Sequence, residues 1–580
     1  MLKKLLTNVG EYKKQSLQTP LYTMGEVLMD VIMPLIMAGL IDQGIEKSDS
    51  DTILRYGGLL FLCAIFALAM GTLGGRTAAV ASAGFAKNLR HKLFTQIQGF
   101  SFSNIDRFSS ASLITRLTTD VTNVQNAYQM VIRILVRSPL ILIFSLIMTF
   151  NISRELSMIY LVIVPIMIIG LGTIIRFAFP LFEKVFRTYD RLNNVVQENL
   201  QGIRVVKSYV REEHEEEKFR QVSQRVFDNF TKAQRIVAFN MPLLQIAVYV
   251  CMLLLSWLGA KLIVTESALS TGELVSMFNY TMQILMSLMM LSMTFVQLMI
   301  ARTSARRISE VLNEESDLKD GEDPLTEVPN GAVEFKNVCF SYKDDMDKLV
   351  LENVDLSIKS GEVIGIVGGT GSSKSSLVQL IPRLYDVTHG EIKVGGHDVR
   401  RYSLEALRDQ VGMVLQNNVL FSGTIAENLR WGDADATNEE VIHAAKIAQA
   451  DPFIQEFPAK YETMISEGGN NVSGGQKQRL TIARALLKKP KILILDDSTS
   501  AVDTKTDQAI RSGLAKEIPG TTTFIISQRI SSIQDSDRII VLDDGKINGI
   551  GTHDELLMNN VIYQEVFDSQ QKGFGDHHDE

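Results

Sequence analysis

Six stretches, near residues 20–42, 53–75, 130–150, 156–177, 240–264 and 271–300, are apolar over a length that can cross a bilayer. A helical crossing takes roughly 20 residues. Inside hydrocarbon each backbone N–H and C=O needs a partner within the protein, so such stretches fold as helices. All six lie in the first 310 of the 580 residues. The third carries Arg133 and Arg137 in its first turns, and both also fit a helix that starts below the membrane and continues upward into it.

Charge divides the chain at the same place. Residues 1–310 hold 31 Lys and Arg against 22 Asp and Glu, while residues 311–580 hold 27 against 44. A basic, apolar half followed by an acidic, soluble half fits a membrane domain joined to a cytosolic one. Two readings of the basic excess stand: attraction to an anionic inner leaflet, or the solvated faces of long cytosolic helices. Connections near 43–52, 151–155 and 265–270 are short, with only Lys47 and Arg154 as basic residues. Those near 76–129 and 178–239 are long and rich in Lys and Arg, as is the N-terminus. The positive-inside rule therefore puts both termini and the long connections in the cytosol. Their helical periodicity makes them extensions of the spans, paired as hairpins. Three cysteines, Cys63, Cys251 and Cys339, form no disulfide framework and no zinc pattern. The opening MLKKLLTNVGEYKKQ has neither the apolar core nor the cleavage site of a signal peptide.

Within the spans, Glu26 and Asp30 share one helix face at i, i+4 spacing. Acids at membrane depth face a cavity or a partner and serve function; the alternative is a solvated place at the cytosolic interface. Met282, Met286, Met289 and Met293 fall on one stripe of the sixth span. Thioethers adapt to irregular apolar partners, and the same stripe also fits ordinary helix packing.

Residues 311–330 are acidic and turn-rich and read as a linker, which gives a membrane domain over 1–310 and a soluble domain over 331–580. From residue 331 strand and helix patterns alternate, the mark of an α/β domain. VIGIVGG is a buried strand ending in glycines, followed by Gly368, Gly369, Thr370, Gly371, Ser372, Ser373, Lys374, Ser375 and Ser376, and then a helix. That context suits a phosphate-binding loop, whose consecutive N–H groups cradle phosphate oxygens. Lys374 reaches the β- and γ-phosphates there, and the Ser375 hydroxyl suits Mg²⁺. Ser373 stands where the loop pattern has its second glycine. Farther on, VSGGQKQRL at 472–480 precedes ILILDDSTSAVD at 492–503.

Those three elements in that order resemble the nucleotide-binding domain of ABC transporters, and six spans ahead of them resemble the exporter type. The resemblance covers essentially the whole chain. It implies a helical membrane domain with long cytosolic extensions, fused to an α/β P-loop domain, in a bacterial plasma membrane. It implies ATP and Mg²⁺ as ligands, and no nucleic acid. The stretches DRFSSASLITRLTTDVTNVQ and NVVQENLQGIRVVKSYVREEHEEEKF resemble the family's two cytosolic hairpins, with coupling helices near 106–113 and 206–213. By resemblance Tyr342 stacks on adenine, Gln416 touches Mg²⁺ and senses the membrane domain, and Asp496 is the Mg²⁺-linked acid. Asp503 lies in the loop between the two sites. Ser473, Gly474, Gly475 and Gln476 bind the γ-phosphate of a nucleotide held by another subunit.

Three positions depart from the family pattern. Asp497 stands where a glutamate base is usual, Gln528 where a histidine is usual, and Ser373 where glycine is usual. An aspartate is one methylene shorter, and a displacement of about 1 Å at a reacting group costs on the order of 10²-fold in rate. A glutamine carries no proton or positive charge of the kind an imidazole does. The pattern resembles one half of a bacterial heterodimeric exporter, with a degenerate site here and an intact signature offered to the partner's site. The implied partners are a second half-transporter chain, the bilayer, and drug-like or other amphipathic molecules. A dedicated lipid or peptide exporter half and an ATP-binding regulatory subunit are the alternatives.

Overall fold

The computed structural model describes residues 5–266, 268–343 and 345–575. They form two compact units: residues up to Gly99 with Ser109–Glu314, and Phe100–Phe108 with everything from Glu315 onward.

The first unit is helical. Its long helices are α1 (Lys13–Gly39) and α2 (Ser50–Gln98). After two short helices, α3 (Phe102–Arg107, in the second unit) and α4 (Ser110–Thr115), come α5 (Val121–Ile152) and α6 (Arg154–Gln201). The short α7 (Ile203–Ser208) leads to α8 (Glu212–Ala238), α9 (Asn240–Lys261) and α10 (Thr271–Asn313). Six helical stretches among the described residues are long and apolar enough to cross a membrane, one around each of the six apolar segments of the sequence. The lengths of α2 and α6, 49 and 48 residues, exceed the roughly 20 needed to cross, so each projects well beyond hydrocarbon. The turn of one hairpin holds α3 and α4, which straddle 106–113, and the turn of the other holds α7, a few residues earlier than 206–213.

Helix α1 contains Pro20 and Pro34. A proline removes the N–H that would bond the carbonyl four residues earlier. For Pro34 that carbonyl is Asp30's, and Gln283 of α10 donates its side-chain amide to it at 2.9 Å. Tyr280 donates to the Val31 carbonyl at 2.6 Å and Ser276 to the Pro34 carbonyl. In the membrane half α10 thus supplies the bond that Pro34 removes and two further bonds beside it, which is how prolines are accommodated in spanning helices.

Two sheets build the second unit. β2 (Leu351–Ile358), β1 (Val333–Phe340), β4 (His389–Val394) and β5 (His397–Asp398) form an antiparallel sheet in that order. The larger sheet runs β12 (Lys546–Gly551), β11 (Arg538–Asp543), β3 (Val363–Gly368), β10 (Thr522–Ile526), β9 (Ile492–Asp496), β6 (Val411–Val414). All its neighbours are parallel except β11 and β12. A two-stranded piece pairs β7 (Gly423–Thr424) with β8 (Met464–Ile465). The central strands are covered on both faces: Ile492, Leu493 and Ile494 are fully buried. That burial explains their unbroken apolar run, the usual pattern of a parallel sheet. Leu325 exchanges backbone bonds with Arg401 and Ser403, so the acidic segment after α10 is already packed on this unit by that residue.

Candidate functional site

In an open parallel sheet, ligands bind beyond the carboxyl ends of the strands. Here β10 lies between β3 and β9, with Ile526 opposite both Ile366 and Asp496. The register brings three sequence-distant segments to one edge: the loop 368–376 after β3, Asp496 and Asp497 after β9, and Ser527 and Gln528 after β10.

The loop has the backbone its glycines suggest. Gly371 sits at φ +86, and neither it nor Gly369 has an atom within 4 Å of where a Cβ would stand. Open space above consecutive N–H groups is what phosphate oxygens need. At the end of the loop Ser373 holds φ 71, ψ 24, the left-handed region that glycine occupies without strain. Lys374 turns its ammonium onto the Gly368 and Gly369 carbonyls at 2.8 and 2.7 Å. Burial lowers its pKa, opposed by the nearby Asp496 and Asp497 carboxylates. Asp496 is 3% exposed, and burial raises its pKa; a hydrogen bond from Ser375 opposes that rise and the neighbouring Asp497 adds to it. Ser375 and Asp496 are thus two hard oxygen ligands already in contact, and they fit Mg²⁺ with phosphate oxygens.

Asp497 accepts a hydrogen bond from the Gln416 amide at 3.4 Å. Burial raises its pKa against that bond and the nearby Arg529 and Lys374. Its backbone is held from both sides: its N–H donates to Ile526 at 3.0 Å, and its carbonyl accepts from the Ser500 hydroxyl at 2.9 Å. It has φ 47, a left-handed conformation that aspartate tolerates better than most residues. Gln528 is exposed, and its carbonyl accepts from Gln570 at 2.6 Å. Tyr342 is 44% exposed, with its hydroxyl 2.8 Å from that of Ser376, so the aromatic expected for adenine is tied to the phosphate loop.

The signature residues begin helix α12 (Gly474–Leu487), well beyond α11 (Lys374–Gln379), the helix that opens after the glycine-rich loop. Ser473 caps it: its hydroxyl accepts from the Gln476 N–H, and the Gln476 side chain accepts from the Ser473 N–H. Ser473 and Gly474 are exposed. A Cβ on Gly475 would meet the Ala501 carbonyl at 2.8 Å, so glycine is required there for contact with the 497–503 loop. Asp503 caps α13 (Thr504–Glu517) by accepting from Thr506 at 2.9 Å. Arg529, absent from the sequence reading, donates to the Ser500 and Val502 carbonyls, each at 3.2 Å. It links the loop after β10 to the loop after β9. Its signal was one basic residue beside Gln528, too common a feature to single out.

Within the second unit, α3 reaches the same neighbourhood. Tyr385 donates to Asp106 at 2.8 Å and stacks edge-on with Tyr342, ring centroids 5.1 Å apart. Burial, reinforced by Asp106, pushes the Tyr385 hydroxyl above its usual value, so it remains a donor.

The first unit has a cavity of about 560 Å³ lined by Asp30, Arg137, Gln283, Met282, Met286 and Met290, among others. Glu26 lies beside it on α1. Arg137 is level with both acids: its Nη2 is 2.9 Å from Asp30, and its Nε is 3.3 Å from Glu26. Met289 packs on the cluster built by α6, α9 and α10, and Met293 is exposed outside the cavity lining. Met290, off the stripe, takes a place in the wall.

Residues 21–315 match the family described as ABC transporter transmembrane region, and residues 351–500 the family described as ABC transporter. The chain is 38% identical over 545 residues to the uncharacterized ABC transporter ATP-binding protein YfiB of Bacillus subtilis, covering 94% of each. It is 35% identical to an uncharacterized ABC transporter ATP-binding protein of Mycobacterium tuberculosis, covering 98% of each. A putative ABC transporter ATP-binding protein of Mycoplasma genitalium is 29% identical, with 96% of each covered.

Proposed function

Because the chain belongs to the ABC transporter family, a multi-pass membrane protein whose second domain binds ATP, we propose that it is one half of a heterodimeric exporter. The exporter moves drugs or other amphipathic molecules out of the cytosol or inner leaflet. It lies in a bacterial plasma membrane with both termini cytosolic. Its own nucleotide site holds Mg-ATP but turns it over slowly, and its signature completes the fast site of the partner chain.

The observation that carries this reading is the pinned backbone at Asp497. A longer side chain would reach the attacking water; a shorter one needs the backbone to advance, and bonds to Ile526 and Ser500 resist that. A carboxylate acts as base only within about 2.6–3.2 Å of the proton it takes. Gln528 offers an amide where an imidazolium would steady the γ-phosphate. The same reading gives Tyr342 to the adenine, the open N–H cradle and Lys374 to the phosphates, and Ser375 and Asp496 to Mg²⁺, supported by the open loop and the Ser375–Asp496 bond. When bound, Mg²⁺ neutralises charge between the β- and γ-phosphates. At the partner's nucleotide, the Ser473 hydroxyl and the first N–H groups of α12 face charge developing on the γ-phosphate, an electrostatic contribution that needs no base.

The test is nucleotide binding and hydrolysis by the chain purified alone and with its partner. The expected result is Mg-ATP binding with little hydrolysis alone, and fast hydrolysis together. A homodimer that hydrolyses ATP as fast as the two-chain complex refutes the reading.

A further inference from the structure

Two carboxylates share one guanidinium, that of Arg137, beside the membrane cavity, while the next guanidinium, that of Arg133, donates to the Gly71 carbonyl at 3.5 Å; the pairing is one cation short. Uncompensated charge at membrane depth is costly and is retained for use. Arg137 does not serve the two acids equally. It donates to Asp30 at 2.9 Å. Its Nε approaches Glu26 at 3.3 Å without the geometry of a hydrogen bond, and the buried Oε2 of Glu26 has no hydrogen-bond partner. Gly71 of α2 lets Glu26 lie this deep, since a Cβ there would stand 3.3 Å from its carboxyl carbon. Asp30 is the acid that reaches the cavity. Its backbone is anchored by Gln283, whose side-chain oxygen in turn accepts from Ser145 at 2.8 Å.

The rest of the wall carries no further charge and is mostly apolar, with Ser138, Asn279 and Ser287 as its other polar residues. Met33, Met37, Met282, Met286 and Met290 all line it, and thioethers mould to flat or irregular bodies. The volume, about 560 Å³, lies within the roughly 300–1,000 Å³ of drug-sized sites.

Resting on the export reading above, we propose that Asp30, Glu26 and Arg137 form a recognition site for one monovalent organic cation, and that Arg137 is a tethered competitor which that cation displaces from Asp30. The displaced guanidinium turns fully to Glu26 and supplies the hydrogen bond that Oε2 lacks. Each carboxylate then has one cation. An anion adds to the existing negative excess, and a neutral molecule leaves it uncorrected.

The experiment measures equilibrium binding, without ATP, to the full-length chain in lipid nanodiscs, together with its partner chain where the two co-purify. The probes are radiolabelled tetraphenylphosphonium and tetraphenylborate, of nearly the same shape and opposite charge. The unaltered protein binds the phosphonium at least about tenfold more tightly than the borate. Arg137→Gln removes the competitor and tightens phosphonium binding about tenfold. Asp30→Asn weakens it by at least about tenfold, and Glu26→Gln weakens it because the guanidinium then stays on Asp30. Preference for the borate, equal binding of both ions, or weaker phosphonium binding in Arg137→Gln overturns the proposal. The comparison of the two ions on unaltered protein decides the matter even if the variants do not fold. Selective binding without ATP-driven accumulation in vesicles counts against export and leaves the site standing; export with no charge preference does the reverse.

Discussion

At the residue scale, the proposed half-exporter reading rests on one methylene at position 497 and one pinned peptide. The two sites this chain contributes to are therefore expected to respond unequally to substitution. In the two-chain complex, Ser473→Arg fills the space before α12 and removes its cap, and steady-state ATPase activity falls by about 10²–10³. Asp497→Asn changes the same rate by less than about threefold, because that carboxylate serves the slow site. If Asp497→Asn stops turnover while the Ser473 variant remains active, the two sites have been assigned the wrong way round. Asp497→Glu alone leaves the isolated chain slow, since Gln528 and the left-handed Ser373 remain. Adding Gln528→His and Ser373→Gly to it raises ATPase activity of the isolated chain well above that of the single variant. Ser373→Gly by itself shifts stability by less than about 1 kcal/mol, because relief of the left-handed strain is offset by the freer unfolded chain. Denaturant unfolding of the purified chain checks this.

At the scale of elements, the two hairpin tips differ. Helix α3 is integrated into the nucleotide-binding unit. Ser101 and Asn104 form its capping box, Ser103 donates to Asp317 at 2.7 Å, and Tyr385 holds Asp106. Tyr385 is also in edge contact with Tyr342, so the helix is one aromatic ring away from the residue proposed to stack on adenine. Tyr385→Phe keeps that ring and loses the bond to Asp106. ATP affinity is expected to stay within about twofold, while stimulation of ATPase by transported molecules drops; unchanged stimulation shows that the bond plays no part in coupling. The other tip, at α7, has no buried residue of its own; Val205 within it and Tyr209 and Val210 just after it are 60, 74 and 80% exposed. Apolar side chains displayed together mark an interaction surface. Tyr209→Asp is expected to reduce co-purification of the partner chain while the isolated chain still binds ATP.

At the scale of the molecule, a membrane unit and a nucleotide-binding unit share one chain, and a nine-residue segment, Phe100–Phe108, leaves the first to pack in the second. The export reading requires both termini on the ATP-binding side. In inside-out vesicles, protease is expected to remove tags from both ends and to leave the short 43–52 and 265–270 connections intact. Protection of either tag reverses the orientation drawn from the basic connections. None of the three cysteines is in a disulfide, so reducing agent is expected to leave ATP binding unchanged, as measured by nucleotide titration.

Much of this was legible because it depends on short-range chemistry. Hydrocarbon demands a helix of a certain length, so the six spans could be read from apolar runs alone. A phosphate loop needs glycines between a strand and a helix, and a buried parallel strand needs an unbroken apolar run. Positions 368–376 and 492–496 therefore announced themselves, whereas the departures at Asp497 and Gln528 were legible only against the family pattern. What stayed hidden depends on which helix turns face each other. Arg137 was placed below the membrane as readily as within it, because one sequence does not show the acids on α1 that accept it. The regular spacing of Met282, Met286, Met289 and Met293 suggested a single stripe, yet packing against α6 and α9 claims Met289 and leaves Met290 to the cavity. Only the fold shows that Gln283 bonds the carbonyl Pro34 leaves free and so anchors the backbone of Asp30. Composition and spacing determined that this chain crosses a membrane and grips a nucleotide; the pairing of side chains across helices, a matter of distances between residues a hundred or more positions apart, was decided by the tertiary structure.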